Sequence, residues 1–90
     1  MDHAHYAKVT AHLHDLIAQL HDRLADRDRA VVEVYLGANE LGLALDHMAY
    51  ALAENDHPVS LAERADMLAL AELMGMDDTV TRALDLCPSR

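Results

Sequence analysis

The chain has 90 residues, of which 52% are hydrophobic and none is Phe or Trp, and its formal charge at pH 7 is −9. Ala, Leu, Val and Met must therefore fill the core, which favours one small, compact all-α domain over residues 1–90. The single cysteine, Cys87, excludes an internal disulfide and a thiolate zinc site. The sequence shows no signal peptide and no span of about 18 apolar residues, so we expect a cytoplasmic protein that binds no membrane.

The first predicted element is a long amphipathic helix. Apolar residues recur there at spacings of three and four and fall within a stripe about 100° wide on a helical wheel, as on a face buried against a core. The stripe that predicts this helix consists of Tyr6, Val9, Leu13, Leu16, Ile17, Leu20 and Leu24.

Two further helices are predicted between residues 26 and 54. The run Asp26-Arg27-Asp28 breaks the first pattern, and the Val-rich stretch after it indicates a short second helix ending at Gly37, with an extended segment as the alternative. A third helix is predicted over about residues 40–54, with Asn39 as its N-cap. Its predicted core face consists of Leu41, Ala44, Leu45, Met48 and Leu52.

The start of the fourth helix has the strongest local signal in the chain. His57-Pro58 ends the third helix, because proline disfavours helical geometry in the residue before it. Ser60 and Glu63 then have the S-x-x-E spacing of a capping box, in which each side chain accepts a hydrogen bond from a backbone N–H. The pattern therefore predicts a helix that begins just after Ser60.

The fourth helix is predicted to run to Met74 and to stop at Gly75, a common C-terminal cap. Asp77 or Asp78 then precedes a short fifth helix, which must end by Pro88. The complete prediction is an all-α fold of four to five helices.

The negative charge lies in the middle of the chain. Between Glu33 and Asp78 there are ten acidic residues and one base, Arg64, so this segment carries the whole net charge of −9. Such a segment repels phosphate backbones, which argues against nucleic-acid binding and favours a basic partner. The alternative is that the acidic residues only keep the protein in solution.

The seven histidines do not form a recognisable metal site. On the first helix they lie beside the apolar stripe, His5 and His12 on one flank and His3, His14 and His21 on the other. Neighbours in each row are at least seven residues, or about 10 Å, apart, which is too far for one ion with ligands at about 2.3 Å. We therefore expect no metal, and no cofactor and no enzymatic activity, since the sequence lacks a nucleophile motif and a phosphate-binding glycine loop.

The third helix carries apolar residues opposite its predicted core face. Leu43 and Tyr50 lie seven residues apart there, with Asp46 and His47 between them and acidic residues after them. Apolar anchors within a charged frame are typical of protein-binding hot spots. The alternative is a central helix that is buried on both sides. The predicted partner-binding residues are Leu43, Asp46, His47, Tyr50, Glu54 and Asp56.

Three segments within residues 37–78 together resemble MafI-type immunity proteins. They are the runs from Gly37 to Asp46, from Leu52 to Ser60 and from Leu70 to Asp77, and they contain a Glu-x-Gly-x-Ala-Leu helix start, a Pro-Val-Ser turn and a closing Met-Gly-Met-Asp. The family has Leu where Met76 stands, and the histidine-rich first helix has no counterpart in it.

The resemblance implies a cytoplasmic antidote that inhibits a cognate secreted toxin by stoichiometric binding to its C-terminal domain. It implies no catalytic residues. A nuclease is one toxin class that would suit the acidic segment. Two other classes remain open: an acidic adaptor or dimerisation subunit that forms a homodimer, and a histidine-dependent metal protein. A helix-turn-helix DNA binder is the least favoured, because no helix has a basic face.

Overall fold

The computed structural model describes residues 3–89, apart from the side chain of His3, so the predicted flank position of that histidine lies outside the described part. The predicted all-α fold of four to five helices is confirmed. Over the described residues the elements are α1 (His3–Leu20), a 3-10 turn (His21–Arg23), α2 (Asp26–Gly37), α3 (Leu41–Glu54), α4 (Leu61–Leu73) and α5 (Thr79–Asp85).

The first helix is shorter than its apolar stripe. The α-helix ends at Leu20 and a 3-10 turn follows, after which Leu24 adopts an extended conformation with φ −105° and ψ 132°. Leu24 is nevertheless buried, as are the earlier members of the stripe from Val9 onward. The prediction of one unbroken helix to Leu24 is therefore wrong at its end, because tertiary packing buries Leu24 without helical geometry.

The second element is a helix, so the extended alternative is wrong. It begins at Asp26, within the acidic run that was expected to break the pattern. Asp26 and Asp28 lie in its first turn, where the helix dipole favours negative charge. Of its apolar residues only Val32 is fully buried, and Val34 is exposed.

Three helices end in Schellman motifs, each closed by a residue in the left-handed region. Asn39 closes α2 with φ 62°, Asp56 closes α3 with φ 52°, and Gly75 closes α4 with φ 65°. At the end of α2, for example, the N–H of Glu40 donates to the carbonyl of Tyr35 at 2.8 Å. Asn39 therefore terminates α2, and the prediction that it is the N-cap of α3 is wrong.

Side chains close in sequence form hydrogen bonds at the N-termini of α4 and α5. The Ser60 Oγ accepts from the N–H of Glu63 at 3.1 Å and the Glu63 carboxylate accepts from the N–H of Ser60 at 2.9 Å, which confirms the capping box. Before α5, Asp77 Oδ1 accepts from the N–H of Thr79 at 3.0 Å, whereas Asp78 makes no side-chain cap bond.

The core forms around α3, which packs most extensively against α2 and α5 and also contacts α1 and α4. A backbone hydrogen bond of 2.9 Å from Val59 to Pro88 ties the C-terminal segment to the α3–α4 loop. Within the described residues no helix is long and apolar enough to cross a membrane. The α3 side chains in the core are Leu41, Ala44, Leu45, Met48, Ala49, Ala51 and Leu52.

Candidate functional site

One stripe of α3 faces away from the core and carries five of the six predicted partner-binding residues. Their spacings of three and four place them on the same side of the helix, over roughly 16 Å along its axis. Residues with this spacing can contact one partner together. The α3 stripe consists of Leu43, Asp46, His47, Tyr50 and Glu54.

The two predicted anchors are exposed. Leu43 retains 47% and Tyr50 55% of its accessible surface, although half of the residues of α3 are buried on its other side. The alternative that α3 is buried on both sides is therefore wrong. Exposed Leu and Tyr side chains one above the other on a rigid helix leave apolar area that a partner can cover.

Carboxylates frame these two anchors. Glu54 and Asp56 are exposed and Asp46 is half-buried. Within the described part of the chain, none of the three forms an ion pair, and the one base of the acidic segment, Arg64, pairs with Asp85 instead. The negative charge is therefore available to attract a positively charged partner.

His47, one of the predicted partner-binding residues, also makes a contact between two helices. Its Nε2 lies 3.0 Å from Oδ1 of Asp28, and the Asp28 residue is only 8% exposed. This pair joins α3 to α2. His47 Nε2 is therefore engaged within the protein, while the half-buried side chain keeps some exposed surface.

The imidazole of His47 also connects two tyrosines. Its ring centroid lies 6.4 Å from that of Tyr35 and 6.1 Å from that of Tyr50, with tilted ring planes. These distances are typical of favourable ring contacts. The three rings therefore form a row from α2 to α3, with Tyr50 at its exposed end.

The second helix adds apolar surface to the site. Val34 is 69% exposed and lies beside the half-buried Tyr35. Sequence reasoning did not include this contribution, although Val31, Val34 and Tyr35 share one helix side by their spacing. We name the α2–α3 surface as Val34, Tyr35, Leu43, Asp46, Tyr50, Glu54 and Asp56. A shallow groove of about 270 Å³ next to Val34 is lined by Ala30, Val31, Val34 and Tyr35.

At the start of α3 the surface continues into a second shallow groove of about 420 Å³. Leu43 and Met76 provide apolar area there, and three carboxylates surround it. Asp77 is one of them, and the hydrogen bond from the N–H of Thr79 holds the pKa of its carboxyl below the usual range. Its negative charge is therefore retained at neutral pH. The groove is lined by Glu40, Gly42, Leu43, Asp46, Met76, Asp77 and Thr79.

The arrangement offers apolar contact area beside negative charge. Among the residues that the structure describes, no three His, Cys, Asp or Glu side chains lie close enough to hold a metal ion. Comparisons of the chain with protein-family models, curated proteins and solved structures found no match.

Proposed function

We propose that this protein is an immunity protein that inhibits a cognate toxin domain by binding it, without catalysis, through the α2–α3 surface. The observation that carries the proposal is the exposure of Leu43 and Tyr50 on one helix, among carboxylates that form no ion pair with the described residues. Such anchors provide affinity, and the surrounding charges provide specificity and a high association rate.

The charge of the surface favours a basic partner. Asp46, Glu54 and Asp56 lie in the segment that carries the whole net charge of −9. A toxin with a basic substrate cleft, such as a nuclease, would meet these carboxylates where it otherwise binds phosphates. The same charge disfavours nucleic acid as the direct ligand.

The resemblance to MafI-type immunity proteins supports the choice of a toxin as the partner. The resembling segments include the start of α3, the turn after α3 and the end of α4, and hence the helix that carries both anchors. On this proposal the protein acts in the cytoplasm of the cell that makes it and forms a one-to-one complex with the C-terminal domain of the toxin.

A second copy of the chain is a weaker candidate partner. In a twofold dimer each α2–α3 surface would face the same surface of the other copy. The carboxylates of one surface would then lie near those of the other, and like charges across an interface are unfavourable by several kcal/mol. The adaptor or homodimer alternative therefore has less support than a basic partner.

The test is expression of this chain together with the toxin domain encoded beside it. Growth should be restored, and the purified complex should contain one copy of each protein. Tyr50→Ala should weaken binding by about 2 kcal/mol or more, because a buried aromatic anchor contributes on that scale. The stability of the free protein should change by less than about 1 kcal/mol, because Tyr50 is 55% exposed.

A matched pair of leucine variants separates the surface from general effects of exposed apolar residues. Leu43→Ala should reduce affinity, whereas Leu61→Ala, at an 82% exposed position on α4, should not. The association rate should also fall as salt is raised, since salt screens separated charges. A chain that neither protects cells from the toxin nor binds it is not an immunity protein for that toxin. Equal effects of both leucine variants would instead show that the interface lies elsewhere.

A further inference from the structure

The groove of about 420 Å³ at the start of α3 has an apolar wall that a ligand can reach. We name it the α3–α5 groove, because it is lined by the start of α3 and by the turn that leads into α5. The Leu43 side chain on this wall is 47% exposed, and Met76 is half-buried. Both side chains can therefore contact a group that enters the groove.

The wall also contains a glycine that neither the backbone nor the packing requires. Gly42 is the second residue of α3, and its φ lies outside the left-handed region. The nearest atoms that a Cβ there would meet belong to the Met76 side chain, at 3.8–4.0 Å, which is ordinary van der Waals contact. Glycine is less favourable than alanine inside a helix, but it lets a ligand approach the backbone closely. The missing side chain of Gly42 therefore leaves the groove open.

Three carboxylates surround the apolar wall from two directions. Glu40 immediately precedes α3 and Asp46 lies on it, whereas Asp77 lies in the turn before α5. Among the residues that the structure describes, no base forms an ion pair with any of the three. Arg82 lies near Asp77, but it pairs with Asp78, with Nη2 3.3 Å from Oδ1. The groove therefore attracts a cationic group.

An arginine side chain matches both the wall and the charges of the groove. Its methylene stem can cover apolar surface while its charged end stays in polar surroundings. The guanidinium has five N–H donors in a planar fork, so it can bond to carboxylates on two sides at once. The lysine ammonium is instead a compact and strongly hydrated point charge. Because the carboxylates come from two elements, the groove favours arginine over lysine.

We propose that the α3–α5 groove is a subsite for an arginine side chain of the protein partner. The stem of the arginine packs on Leu43 and Met76 where Gly42 leaves room, and its guanidinium bonds to Asp77 and Asp46. This inference rests on the proposed function, since the arginine belongs to the toxin domain. It specifies which group of the toxin lies beside the Leu43 anchor.

The experiment uses the full chain with ¹³C-labelled methionine methyl groups and a short peptide of alternating arginine and alanine. The control peptide has citrulline in place of each arginine, which keeps the shape of the side chain and removes its charge. The Met76 methyl signal reports on the groove, whereas the fully buried Met48 and Met67 report on general changes in the protein. Titration of the Met76 signal gives the affinity.

Two matched pairs of protein variants test the groove itself. Asp46→Asn and Asp15→Asn each remove one carboxylate, and Asp15 is exposed on α1, outside the groove. Gly42→Leu and Gly37→Leu each place a leucine at a helical glycine that has room for a Cβ, and only position 42 lines the groove. Thermal unfolding followed by circular dichroism checks that each variant is folded.

The arginine peptide should shift the Met76 signal and leave the signals of Met48 and Met67 unchanged. Asp46→Asn should weaken its binding about three-fold, as expected for a partly exposed ion pair, and Asp15→Asn should weaken it much less. Gly42→Leu should weaken binding more than Gly37→Leu, because the added side chain occupies the place of the arginine stem. The citrulline peptide, and a peptide with lysine in place of arginine, should both bind more weakly.

Three results would each overturn the inference: no shift of the Met76 signal, equal binding of the citrulline or lysine peptide, or equal effects within either pair of variants. None of them would affect the immunity proposal, because the peptide experiment contains no toxin. A toxin domain that still binds through Leu43 and Tyr50 would leave that proposal in place. The response of Met76 to the arginine peptide would likewise stand if the toxin domain did not bind, so the two proposals can fail separately.

Discussion

The ion pair between Arg23 and Glu63 makes a quantitative prediction about acid stability. Arg23 lies in the turn after α1, and Glu63 lies in the first turn of α4. Arg23 Nη1 donates to Glu63 Oε1 and Nη2 donates to Oε2, both at 2.6 Å, and the N–H of Ser60 also donates to Oε1. Since the side chains are only 17% and 10% exposed, water screens the pair weakly.

The magnitude follows from the shift in the pKa of Glu63. The bonds from Arg23 lower this pKa from 4.5 to about 2, with a further contribution from the N–H of Ser60 and opposition from burial. A carboxyl with a lowered pKa in the folded protein stabilises that state fully above its unfolded pKa. Its contribution is lost as the pH falls from about 4.5 to 2. At 1.36 kcal/mol per pKa unit, the contribution at neutral pH is about 3 kcal/mol.

The perturbation is Glu63→Gln, which keeps the shape of the side chain and removes its charge. Urea unfolding followed by circular dichroism gives the free energy of unfolding of both proteins at several values of pH. The variant should be less stable by about 3 kcal/mol at pH 7. The difference should shrink through pH 4 and become small near pH 2, because that pH is close to the pKa of Glu63 in the folded protein and little of its stabilising contribution then remains.

The Arg64–Asp85 pair provides the matched control. Its side chains are 32% and 59% exposed, so Asp85→Asn should change the stability by no more than about 1 kcal/mol. A Glu63→Gln loss below about 1 kcal/mol at pH 7 would refute the argument that burial strengthens the Arg23–Glu63 pair. So would a larger loss that does not vary with pH, since the effect would then come from shape and not from charge.

Two further substitutions test the supports of the α2–α3 surface. Asp28→Asn should lower the free energy of unfolding by about 1–3 kcal/mol, because the buried hydrogen bond to His47 loses the carboxylate charge. The same substitution should shift the NMR signals of the Tyr50 ring, which neighbours His47. Unchanged ring signals would argue against the row of rings as a support. Asp56→Gly should raise the unfolding free energy by up to about 1 kcal/mol, because glycine adopts φ 52° without strain and a negative charge leaves the C-terminus of α3. The same substitution should slow toxin association, and a faster association would contradict the proposed role of Asp56 in the interface.

Sequence alone was sufficient where a structure depends on neighbours within a few residues. The capping box of Ser60 and Glu63 requires groups three positions apart, and the end of α4 at Gly75 requires one residue that tolerates positive φ. The buried side of α1 could also be predicted from the sequence, because a helix places residues three and four apart on one side. The same periodicity identified Leu43 and Tyr50 as a pair on one side of α3.

Only the tertiary structure decided which side of each helix meets solvent and which distant groups meet each other. The periodicity of α3 was compatible with burial on one side or on both, and the exposure of Tyr50 depends on where the other helices pack. The partners of Arg23 and His47 lie 40 and 19 residues away, on other helices, so no local pattern indicated them. Asn39 likewise was predicted as an N-cap, because Asn is common at that position, yet in the structure it closes α2 with φ 62°.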